Sequence, residues 1–114
     1  MWWLLDSRRL SSKARELIQD ADIAYLSAIS AWEIEIKKAR GNLEAPDNLE
    51  ATIASRGVRP LSVTLAHAVA AGRLPLLHRD PFDRMLVAQA KVESLILLTT
   101  DTLLRRYDAR VMIV

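Results

Sequence analysis

The sequence contains no cysteine. That removes any disulfide framework and any thiolate zinc site, and it suits a reducing compartment such as the cytoplasm. No apolar run reaches the length needed to cross a bilayer, so no membrane partner is expected. Residues 1–5 (MWWLL) are apolar but too short for a signal-peptide core, and they lack the basic flank that precedes one. Like charges are not massed either. The tightest basic groups are Arg8-Arg9, Lys37-Lys38-Arg40 and Arg105-Arg106, each of which reads as a solvated face. A net charge of +2 and a pI of about 9.3 therefore permit a nucleic-acid partner without demanding one. Repeats, low-complexity tracts and linkers are also lacking. What remains is a chain of 114 residues, 51% apolar and 26% charged, enough for one globular domain around a single core.

Along that chain, short apolar runs alternate with helical patterns. Residues 1–5 read as the end of a helix. Ser11 can cap a helix over 12–21, with Ala14, Leu17 and Ile18 at helical spacing. IAYLS at 23–27 predicts a strand. Ser30 opens a helix whose Trp32, Ile36 and Ala39 form one stripe, with Gly41 at its end. Asp47 and Glu50 resemble a capping box after Pro46. Residues 58–61 predict an edge strand because Pro60 cannot donate to a ladder. Ser62 caps an alanine-rich helix to about residue 71, closed by Gly72. Asp80 and Pro81 are an N-cap and first-turn pair for a helix to about Glu93. The run at 95–99 reads as a strand buried on both faces. A short helix through Leu103-Leu104 and a last strand from Val111 follow. This alternation predicts an α/β fold with a parallel sheet covered by helices.

In such sheets the active site lies at the carboxyl ends of the strands. Asp101 falls just past the most apolar strand, although it reads equally as the N-cap of the helix that follows. Asp83 sits at the third position of its helix, where a carboxylate favours the helix dipole or completes a capping box. It also shares the face of Leu86, Val87 and Ala90, which must pack on the sheet, and a carboxylate entering a core needs a partner such as a divalent cation. Glu33 has the alternative of an i,i+4 pair with Lys37. Should these three acids converge, oxygen-only ligation favours Mg2+ or Mn2+ over zinc, and the natural reaction is phosphodiester hydrolysis. His67, among alanines, reads as structural, and His78 as a hydrogen-bonding loop residue.

HRDPFDRMLVAQA at 78–90 resembles the signature of one branch of the VapC-type PIN-domain ribonuclease toxins. SAISAWEIEIKKARGNL at 27–43 resembles the family's Trp-Glu-Ile motif, LLTTD at 97–101 its strand-end motif, and RLSSKARELI at 9–18 the segment before its second strand. The resemblance covers essentially the whole chain. It implies a PIN-like three-layer α/β fold, Mg2+-dependent cleavage of RNA (Mn2+ as the alternative ion), homodimerisation and inhibition by a VapB-type antitoxin. It also implies that Glu33, Asp83 and Asp101 are the catalytic, metal-binding acids.

One departure bears on the fold. The family opens with an apolar strand ending in an aspartate, followed by a helix with a Leu-Trp-rich end, and residues 1–5 resemble that helix end. Leu4-Leu5-Asp6 imitates the family's Leu-Leu-Asp, but Arg9-Leu10-Ser11 follows too closely. The expectation is thus a PIN domain over 1–114 that lacks its first, central strand and first acidic ligand, with Asp6 in a loop. Trp2 and Trp3 are expected to be poorly packed. The alternative function is an inactive remnant that dimerises or binds an antitoxin.

Overall fold

The structure is a computed structural model that describes residues 1–6, 16, 18 and 22–114. Five strands form one wholly parallel sheet: β1 (Trp2–Leu5), β2 (Ile23–Ser27), β3 (Val58–Leu61), β4 (Ile96–Thr99) and β5 (Val111–Ile113), in the order β3-β2-β1-β4-β5. Four helices complete the described residues: α1 (Ala28–Ala39), α2 (Leu49–Ser55), α3 (Leu65–Arg73) and α4 (Pro81–Glu93). A 3-10 helix, Thr102–Arg106, joins β4 to β5. The α/β architecture is as expected. The helix expected over 12–21 lies outside the described residues. No helix among the described residues is long and apolar enough to cross a membrane.

The central position of the sheet is where the expectation fails. The slot between β2 and β4 is not empty, because Trp2–Leu5 fills it as a strand, paired with β2 from Trp2 to Leu5 and with β4 from Trp3 to Leu5. The physical reason is two-sided apolarity. A central parallel strand is dry on both faces, and WWLL has no polar face to show. Leu4 packs with Leu86, Val87, Leu97 and Tyr107 on one side, while Trp3 and Leu5 pack with Ala24, Ile96 and Leu98 on the other. Filling the slot also gives the inner edges of β2 and β4 the backbone partners that buried N–H and C=O groups require. Trp3 is buried, and its indole N–H donates to Asp22 Oδ2 at 3.1 Å, contrary to expectation. Trp2 is 55% exposed, in line with it.

Local chemistry moves several helix boundaries. Ser27, at the end of β2, caps α1 by accepting the Ile29 N–H at 3.1 Å, so this helix begins before Ser30. Its Trp32 is 59% exposed, and the buried residues are Ser30 and Glu33. Asn48, not Asp47, caps α2, and Asp47 pairs with Lys38 at 3.0 Å. Thr64 caps α3 in a capping box closed by the His67 ring, so Ser62 lies outside that helix and Gly72 inside it. The strand carrying Pro60 is an edge strand, as expected.

Leu4 is fully buried at the centre of this sheet, whereas Trp2 on the same strand is largely in water. Leu4→Ala should lower the stability to urea by about 2–5 kcal/mol, the range for emptying a packed core site. Trp2→Ala should cost under about 1 kcal/mol. Equal losses would contradict a central β1.

Candidate metal centre

Asp6 and Asp101 follow β1 and β4 at the carboxyl end of the sheet, and Asp83, from the first turn of α4, joins Asp101 there. Asp6 follows β1 directly and is only 8% exposed. Its backbone N–H donates to Leu98 O at 2.9 Å, continuing the ladder one residue past the strand. Its Oδ2 accepts the Thr99 hydroxyl hydrogen at 2.7 Å, and its buried Oδ1 has no hydrogen-bond partner among the described residues. Thr99 Oγ1 in turn accepts the Asp101 N–H at 3.1 Å, so the ends of β1 and β4 are tied by one hydroxyl.

Asp101 fills the capping role that the sequence offered, and its second oxygen meets a ring nitrogen. Its Oδ1 caps the 3-10 helix by accepting the Leu103 N–H at 3.0 Å, while its Oδ2 lies 2.8 Å from His78 Nε2. Asp83, in the first turn of α4, is 1% exposed, and its Oδ2 lies 3.4 Å from the same nitrogen. Carboxylate oxygens of both aspartates and the His78 ring nitrogen all lie within 4.8 Å of one another. Asp80 is the N-cap of α4, accepting the Phe82 N–H at 2.9 Å. Glu33 is buried on α1 and pairs with Lys37 at 3.9 Å, the surface alternative weighed from the sequence. The residues just before Glu33 and Asp83 meet: the Trp32 and Phe82 rings stack edge-on at 5.4 Å.

Of the three acids expected to converge, Asp83 and Asp101 are brought together, with His78; among the described residues Glu33 is not part of that group, although its helix meets α4 through Trp32 and Phe82. Asp6 was missed because its Leu-Leu-Asp pattern was set aside on spacing. The usable signal was its likeness to LLTTD, another apolar run ending in aspartate. His78 is the hydrogen-bonding loop residue expected, while Thr99 carried no signal beyond its place in a motif. His67, by contrast, is the structural residue expected. It is fully buried, its Nδ1 accepts the Thr64 N–H at 3.0 Å, and its Nε2 meets Glu93 at 2.8 Å.

The PIN domain family model matches residues 1–110, and this chain belongs to that family, whose members are generally nucleases. Among solved structures it is similar to a toxin–antitoxin complex from Klebsiella pneumoniae, with a TM-score of 0.66 and 17% identity, over 96% of this chain and 95% of that one. The sequence matches none of the curated proteins.

Among the described residues, Thr99 supplies the one hydrogen bond that the Asp6 carboxylate receives. Thr99→Val, equal in shape, should cost about 1–3 kcal/mol by leaving a buried carboxylate unsatisfied, and Thr99→Ser should cost less. Urea denaturation of the two variants distinguishes them. A valine variant as stable as the parent would show that the bond contributes nothing.

Proposed function

We propose that this chain is a divalent-metal-dependent endoribonuclease of a toxin–antitoxin pair, with Asp6, Glu33, Asp83 and Asp101 as its acidic site and Mg2+ (or Mn2+) as its ion. The observation that carries this reading is the grouping of Asp6, Asp83 and Asp101 around Thr99 and His78 at the carboxyl end of a parallel sheet. The donor set fits such an ion. It consists of carboxylate oxygens, which hard cations prefer. Beside it lies a buried Asp6 oxygen with no hydrogen-bond partner among the described residues, which is costly unless something positive meets it.

Asp83 and Asp101 would hold the ion, with Asp6 joined to Asp101 through Thr99 and Glu33 contributed by α1. When bound, it would supply Lewis-acid stabilisation of the phosphodiester and an activated water. The protein's own contribution is placement. Thr99 fixes Asp6 relative to β4, the Leu103 N–H fixes Asp101, and burial in the first turn of α4 fixes Asp83. The exposed Trp32 face beside this site offers a surface on which a base of a single-stranded substrate could stack.

RNA as substrate and a VapB-type antitoxin as partner are supported by the sequence motifs, and the antitoxin also by the similar Klebsiella pneumoniae complex. Leu65, Val69 and Leu76, exposed on α3 and the loop after it, support a face covered by a second copy or by the antitoxin. The reading places the protein in the cytoplasm. An inactive remnant requires an incomplete site, and the position of Asp6 favours the complete one.

The test is cleavage of single-stranded RNA with Mg2+ or Mn2+, with single-stranded DNA in parallel. Asp83→Asn and Asp6→Asn should each lower metal-dependent cleavage by about 100-fold or more, the scale of a misplaced reacting group. Cleavage undiminished in both variants, or equal with and without metal, would overturn the reading.

A further inference from the structure

His78 and His67 are wired alike, but only His78 stands in the candidate site. The His78 Nδ1 accepts the Asp80 N–H at 3.0 Å, and its Nε2 lies 2.8 Å from Asp101 Oδ2 and 3.4 Å from Asp83 Oδ2. A ring nitrogen that accepts a backbone N–H presents its lone pair there and carries no hydrogen. The ring hydrogen is then on Nε2, which makes that atom a donor between two carboxylates. We infer that His78 is a positioning residue of the proposed metal site: a tautomer-locked donor that sets Asp83 and Asp101 in place, and not itself a metal ligand. This inference rests on the metal-site reading above.

Proximity alone would suggest the opposite, since Nε2 lies within ligand range of both aspartates. Ligation through Nε2 would require its hydrogen to move to Nδ1, where it would face the Asp80 N–H head-on. Asp80 cannot easily yield, because it is the N-cap of α4 and Pro81 follows it in the first turn. The loop is pinned from the other side too, with the His78 N–H donating to the buried Tyr107 hydroxyl at 2.9 Å. Two carboxylates at this separation repel. The Nε2 hydrogen, directed at Asp101 Oδ2 with Asp83 Oδ2 3.4 Å from the same nitrogen, offsets that repulsion.

The test uses the full chain with Mn2+ as probe, comparing the parent with His78→Gln, which keeps an N–H donor, and His78→Leu, which has none. Mn2+ affinity should fall about 10- to 100-fold in the leucine variant, the usual effect of losing a residue that orients a ligand, and recover largely in glutamine. Pulsed paramagnetic resonance of the Mn2+-loaded parent should show no directly coordinated ring nitrogen. Nitrogen-15 NMR of the parent, with or without Mg2+, should find the His78 hydrogen on Nε2, a readout independent of whether either variant folds. A coordinated nitrogen signal that vanishes in His78→Gln, a hydrogen on Nδ1, or unchanged affinity in His78→Leu would overturn the inference while leaving the metal site standing. A parent that binds no Mn2+ would overturn both.

Discussion

The structure depends on satisfying a strand position that is dry on both faces and flanked on both sides. Such a position accepts only a short run of apolar residues whose backbone groups can pair in both directions. Trp2–Leu5 meets that requirement, and the residue after it must emerge where two neighbouring strands end. That residue is an aspartate. The chain runs from β1 to β2 on one side and reaches β4 on the other, so Asp6 stands at the crevice where the strand order reverses, the usual place for a site in an open parallel sheet.

Around that crevice the HRDPFDR segment divides its labour closely. His78 contacts two aspartates, Asp80 caps α4, Pro81 occupies a first-turn position that has no N–H to waste, and Asp83 is buried in the same turn. Arg84 turns away from the acids. Its guanidinium donates to the carbonyls of Ala71, Leu74 and Pro75, closing the end of α3 against α4, and reaches the Tyr107 hydroxyl at 3.4 Å. The basic residue of the motif thus joins two helices and pairs with carbonyls and a hydroxyl.

Most of the fold was legible because its signals are local. IAYLS, the run ending at Thr99, and the Asp80-Pro81 pair each specify their element within a few residues. Caps were read less well, since Ser27 against Ser30, Asn48 against Asp47 and Thr64 against Ser62 offer the same chemistry a few residues apart, and only tertiary packing chooses. The largest error, at β1, came from weighting the spacing of motifs over the apolarity of WWLL on both faces. Asp6 was lost with it. Asp83 and Asp101 were legible because strand-end and first-turn positions can be counted from the sequence. The tautomer of His78 was not, because it depends on a backbone N–H two residues on.

Native-state hydrogen exchange at the Asp6 amide tests the central claim most directly, because that single N–H joins the strand to the site. If β1 is the central strand, this amide exchanges only through global unfolding, with protection matching that of Leu97, whose N–H pairs with Arg110 O across β5. An Asp6 amide that exchanges as fast as an open loop, while Leu97 stays protected, would contradict the account.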